Sequence, residues 1–213
     1  MMIRPEIKLM TSLGCLLCAA CTTVAPLAEI EANGPANEAN EGMSAANSST
    51  VMRTADAIAM GEAGERSNDP AALARAAGML EALGARPTGE SEEEDVARKW
   101  IDLAVGQDPN ISVPVYRGRA LGPAYRKGTV SAGSEVTFRQ IFLAGKKASV
   151  ALVPVSKNTV SISVENGAGE RLCYRTVSEN PDSCEWLPLF TDRFLIRIIT
   201  KAPKPVRYYV VSN

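Results

Sequence analysis

Two hydrophobic periodicities divide the chain. From Ser49 to Gln107 apolar positions recur every three to four residues, the spacing of one helix face. Val51, Met52, Ala55, Ile58 and Ala59 form a first stripe, which Gly61 and Gly64 weaken. A second stripe, Leu73, Ala76, Ala77, Leu80 and Leu83, follows Asp69-Pro70, an N-cap with proline at the first helical position, and meets Gly84 at its end. Val96, Trp100, Leu103 and Ala104 carry a third, and Ser91-x-x-Glu94 ahead of them reads as its capping box. These helices are short and alanine-rich, so each buries little area, and the unit is expected to lean on something larger.

From Ile111 onward the period falls to two. Val136 and Phe138 alternate with Thr137 and Arg139, and Val160-Ser161-Ile162-Ser163-Val164 reads as a half-buried strand. Phe194, Ile196 and Ile198 repeat the device, with Arg193 and Arg197 between them. Ala148–Val153 and Tyr208–Val211 are apolar on both faces. Turn residues at Ala132-Gly133, Asn166-Gly167 and Asn180-Pro181-Asp182 separate the runs. The expected fold class is therefore α+β: a small N-terminal unit of about three helices, then a β-sandwich of seven to eight strands.

The N-terminus adds an address. Arg4 and Lys8 precede Leu9–Ala20, an uncharged stretch of twelve residues. A membrane-spanning helix needs ~20 residues, so this stretch reads as an export signal. Leu16-Leu17-Cys18-Ala19-Ala20-Cys21 resembles the lipobox of bacterial lipoproteins, although Cys18 stands where that pattern carries leucine. The resemblance implies lipidation of Cys21, a membrane held through that lipid, and an outer-membrane location facing the periplasm; simple secretion is the alternative. Residues 22–48, rich in Ala, Asn, Glu, Gly, Pro and Ser, lack the apolar surface to offset ordering and read as a tether. The expected organisation is a signal over 1–20, a tether over 21–48, a helical unit over 49–110 and a sandwich over 111–213.

Export leaves Cys173 and Cys184, an even pair in an oxidising compartment, which reads as one disulfide. The chain has no histidine, which excludes Ser-His-Asp and Cys-His hydrolysis and every histidine-bearing zinc site. Glu92-Glu93-Glu94-Asp95 is an acidic run on successive residues, better suited to the positive end of a helix than to a metal. Asp182 and Glu185 are the nearest approach to a carboxylate pair, and turn formation accounts for them equally well. Neither a phosphate loop nor a nucleophile elbow is present, so no catalytic residue, cofactor or metal is assigned.

Residues from about Gly118 to Val211 resemble a divergent pre-peptidase C-terminal domain of secreted bacterial peptidases. The resemblance rests on Gly128-Thr129-Val130 with Ser134-Glu135-Val136, on Phe142-Leu143-Ala144-Gly145, on Asn166-Gly167 after Thr159–Val164, and on Cys184-Glu185-Trp186-Leu187-Pro188. It implies a β-sandwich that binds a polymer or serves a hydrolase. Thr159, Ser161 and Ser163 replace the acidic residues that accompany calcium in some members.

The formal charge of −1 conceals a division. Thr22–Asn110 holds 16 acidic and 6 basic residues, whereas Ile111–Asn213 holds 15 basic and 7 acidic. The basic half is expected to face an anionic polymer or lipid, or to dock the acidic helices. Arg117, Arg119, Arg126 and Lys127, interleaved with Tyr116 and Tyr125, are the candidate contact residues, since arginine and tyrosine grip phosphate and sugar. Export makes nucleic acid an improbable ligand. The expectation is a non-enzymatic binding or assembly module of the envelope, partnered by an anionic polymer or a protein; the alternative is an accessory subunit of an exported hydrolase.

Overall fold

A computed structural model describes residues 36–88, 95–113 and 122–213, with side chains from Thr50 onward. Helix α1 (Ala36–Ser67) begins in the stretch whose composition reads as a tether. Asn68, with φ of 50°, turns the chain into α2 (Pro70–Leu83). Asp69 caps α2 by accepting from the Ala72 amide at 3.0 Å. Gly84 ends it in the left-handed region, with its amide on the Glu81 carbonyl and the next amide on Leu80. Strand β1 (Arg86–Pro87) is short, and α3 (Val96–Gln107) completes the helical layer.

The α3 start differs from expectation. Its cap is Asp95, which accepts from the Ala97 and Arg98 amides, and the helix begins after the Ser91–Glu94 box. Asp95 also receives the Tyr125 hydroxyl, a tertiary contact that a local capping motif cannot anticipate. Nor does Gly61 weaken α1: a Cβ there would overlap the Trp100 ring, so the glycine admits that indole against the helix backbone.

Eight further strands follow: β2 (Ala124–Val130), β3 (Glu135–Phe142), β4 (Ala148–Pro154), β5 (Val160–Glu165), β6 (Arg171–Val177), β7 (Asp182–Trp186), β8 (Asp192–Thr200) and β9 (Val206–Ser212). They form a five-stranded sheet, β1-β2-β9-β4-β7, and a four-stranded sheet, β3-β8-β5-β6. The α+β class and the sandwich are as expected, with β1 contributed from the helical region.

Strand alternation builds two cores from one sheet. Val150, Leu152, Tyr208 and Val210 point into the sandwich, where they meet Ile162, Ile196 and Ile198. Ala151, Val153, Tyr209 and Val211 point the other way, onto Ile58, Leu73, Leu80 and Trp100 of the helices. Both sides of β4 are therefore buried, which is why it lacks a polar face. The described fold is three layers, helices on sheet on sheet. Cys173 on β6 and Cys184 on β7 form the expected disulfide, with Cα atoms 5.7 Å apart. Since β6 and β7 are edge strands of different sheets, the bond clamps one side of the sandwich.

Candidate functional site

The positively charged cluster expected near the start of the sandwich does not gather into one surface among the described residues. Consecutive β2 residues point to opposite faces of their sheet. Tyr125 is 2% exposed beneath the helical layer; its hydroxyl donates to Asp95 at 3.3 Å and accepts from the Val96 amide at 3.2 Å. Burial, then the Asp95 charge, pushes this phenol above its ordinary pKa. Arg126 turns toward the other sheet, where its guanidinium lies 4.4 Å from the centre of the Phe138 ring. Lys127 turns back toward the helices, with Nζ 5.8 Å from the centre of the Tyr209 ring. Tyr116, Arg117, Arg119 and Cys21 lie outside the described residues, as do Glu92, Glu93 and Glu94.

Asp182 and Glu185 are also separate. Asp182 faces Arg175 at 3.6 Å, and Glu185 faces Lys147 at 2.9 Å. Three positions apart on one strand, their side chains leave opposite sides of the sheet. Among the described residues no group of three or more Cys, Asp or Glu is placed to hold a metal ion.

Part of the charge division is used within the fold. Tyr209, fully buried on β9, donates its hydroxyl to Glu62 of α1 at 2.8 Å. Glu65 on the same helix accepts from Lys99 Nζ at 2.8 Å and from the Trp100 indole at 3.1 Å. Burial acts to raise the Glu65 carboxyl, but those hydrogen bonds and the charges of Lys99 and Lys127 hold it below its usual range. Arg66 donates to the Val155 carbonyl at the end of β4 at 2.9 Å. Across the layer boundary, then, Lys127 of β2 brings a sandwich charge to Glu65 of α1, while Glu62 takes a hydroxyl and Arg66 a strand carbonyl.

The helices cover the outer side of the five-stranded sheet, and among the described residues the outer side of the four-stranded sheet is open. The register aligns its residues in rows: Glu135, Ile199, Ser161 and Thr176 in one, Thr137, Arg197, Ser163 and Tyr174 in the next, and Arg139, Leu195, Glu165 and Arg171 in a third. Arg193 lies beyond them, opposite Ile141. At the centre, Arg197 donates from Nε and Nη2 to Glu165 at 3.1 and 3.3 Å and from Nη1 to Glu135 at 3.1 Å. Two carboxylates therefore hold this guanidinium in place. Arg139, Arg171 and Arg193 are exposed around it, and the Arg171 guanidinium lies 5.7 Å from the centre of the Tyr174 ring.

One end of this face is hollowed into a depression of about 540 Å³. Ile199 lines it together with the hydroxyls of Ser161 and Thr176, which are 2.9 Å apart. Tyr174, Lys157 and Lys201 complete its wall. Hydrogen bonds with Ser161 and Thr176 lower the Tyr174 phenol pKa against a small opposing burial effect, and Lys201 and Arg171 add to the lowering. An apolar floor, three hydroxyls and two ammonium groups suit a ligand that combines sugar-like hydroxyls with negative charge. Sequence reading missed this site because its residues come from three strands, β5, β6 and β8, and their flanking loops, which the sheet order alone brings together.

No family model matches the chain, and no curated protein matches it. Among solved structures it is similar to the Yersinia pseudotuberculosis-derived mitogen, at 11% identity over 43% of this chain and 85% of that one, with a TM-score of 0.36. It is also similar to the pre-peptidase C-terminal domain of a Bacillus anthracis collagenase, at 7% identity over 42% and 87%, with a TM-score of 0.35. A third similar structure is Aeromonas hydrophila PliG, a periplasmic inhibitor of g-type lysozyme, at 14% identity over 47% and 92%, with a TM-score of 0.34. Likenesses this distant carry no functional argument; the class of the protein, an α+β chain with a β-sandwich, rests on its own layers and strand order.

Proposed function

We propose that this protein is a non-enzymatic binding module of the bacterial cell envelope, which holds an anionic, hydroxyl-rich polymer on the open side of its four-stranded sheet. One observation carries the reading. Among the described residues the sandwich has one outer side without a helical cover, and that side combines Arg139, Arg171 and Arg193 with the Tyr174–Lys201 depression. The binding surface expected around Arg126 and Lys127 is thereby moved to the opposite sheet. Export is supported by the Cys173–Cys184 disulfide and by the charge pattern of the first twenty residues, and anchoring through Cys21 belongs to the same proposal. The kinship with pre-peptidase C-terminal domains rests on the residue resemblance and implies binding rather than catalysis.

Purified cell-wall sacculi and lipopolysaccharide micelles are the probes. The full chain is expected to co-sediment with at least one of them, less so as salt rises. Arg139→Glu combined with Lys201→Glu is expected to abolish capture while leaving the thermal midpoint in place. Capture that survives both substitutions contradicts the reading.

A further inference from the structure

Large apolar side chains are exposed on two neighbouring loops at the β3–β4 end of the sandwich. Ile141 and Leu143 belong to the end of β3 and the loop after it; Leu187, Leu189 and Phe190 belong to the β7–β8 loop. Leu189 is 81% exposed and Phe190 79%, in a protein whose other aromatic rings on these strands are buried or packed together. The loops are held rather than loose. The Gly145 amide donates to the Pro188 carbonyl at 2.9 Å, and the Ala144 amide donates to Thr191 Oγ1 at 3.0 Å. Below them Phe142, Trp186 and Phe194 pack edge-on and tilted, with centroids 4.8 to 5.8 Å apart. A rigid base therefore holds leucine and phenylalanine out in water, an arrangement that folding by itself disfavours.

We infer that this paired-loop tip dips into an anionic phospholipid surface. Residues 141–147 and 187–193 carry Lys146 and Arg193 against Asp192, with Lys147 paired to Glu185 beside them, so a small excess of positive charge borders the apolar tip. That pairing of apolar insertion with peripheral cations is how peripheral proteins hold an anionic bilayer interface. Thr50 of α1 lines a depression of about 610 Å³ at this end together with Leu143 and Lys146. The envelope location is shared with the proposed function, and Arg193 borders both surfaces, but the apolar tip itself stands on the two loops and not on the open sheet face.

The test places an indole at the tip of the full chain as Phe190→Trp, at a position exposed enough to accept it. The protein is mixed with vesicles of phosphatidylethanolamine and phosphatidylglycerol whose acyl chains carry bromine. Relative to the parent chain with Trp100 and Trp186 alone, the added emission is expected to shift to the blue and fall by roughly half as the ring enters the acyl boundary. Lys146→Glu should weaken that quenching, and Arg139→Glu on the open face should leave it unchanged. Emission that stays red and unquenched overturns the inference, because it leaves the tip in water or to a protein partner. A blue shift that depends on protein concentration and is not quenched also overturns it, and assigns the tip to a second copy of the chain.

Discussion

The two outer sides of the sandwich have the same backbone and opposite fates. On the five-stranded sheet, Ala151, Val153, Val155 and Val211 are small or branched, and the hydroxyl of Tyr209 is matched by Glu62. Helices settle on that surface because it offers apolar area, enough to carry the buried hydroxyls of Ser149 on β4 and Thr54 on α1, which have no hydrogen-bond partner. On the four-stranded sheet the equivalent positions are Glu135, Thr137, Arg139 and Arg197, where burial under a helix would strand charge. The comparison teaches that composition across one strand face decides which side becomes architecture and which remains available to a ligand.

Breaking the covered side should have the largest effect. Trp100 is fully buried between α1, α3 and the sheet, and Trp100→Ala is expected to cost about 3–5 kcal/mol in urea unfolding. Next comes the clamp between the sheets: Cys173→Ser with Cys184→Ser should lower stability by about 2–4 kcal/mol, measured without reductant against the oxidised parent. Tyr209→Phe removes one oxygen and leaves buried Glu62 without that donor, for an expected loss of about 1–3 kcal/mol.

A smaller effect is readable through pH. The folded Glu65 carboxyl is held below its ordinary value. Its contribution is therefore complete above the unfolded pKa of about 4.3 and disappears as pH falls through the lower folded value. Glu65→Gln should consequently destabilise the protein at neutral pH and bring the parent and variant curves together in acid; curves that stay parallel would remove Glu65 from the layer boundary. Smallest of all, Arg139→Ala on the open side is expected to move stability by less than about 0.5 kcal/mol. A loss comparable to that of Trp100→Ala would mean that the open side is structural too.

Much of this division was legible in the chain. Asp69-Pro70 and Gly84 bound α2 as their capping chemistry requires, and Cys173 finds Cys184. The apolar character of both faces in Ala148–Val153 and Tyr208–Val211 already signalled a sheet buried on two sides. Local reading could not reveal what depends on distant partners. Gly61 looks like a helix defect until Trp100 occupies its place, and Asp95 becomes the α3 cap where Tyr125 holds it. Tyr125, Arg126 and Lys127 look like one patch until alternation sends them to a core, a sheet interface and a helix boundary. The open site was invisible for the same reason, since Tyr174, Ser161 and Lys201 come to one depression, and Arg139 to the same sheet face, only through the β3-β8-β5-β6 order.

Covalent labelling of the full chain, with and without lipopolysaccharide micelles or sacculi, tests the division most directly. The account predicts that bound polymer shields Tyr174 and Lys201 from modification and leaves exposed Arg75 and Arg98 of the helical layer as reactive as before. Shielding of the helical arginines with Tyr174 and Lys201 unchanged would contradict it.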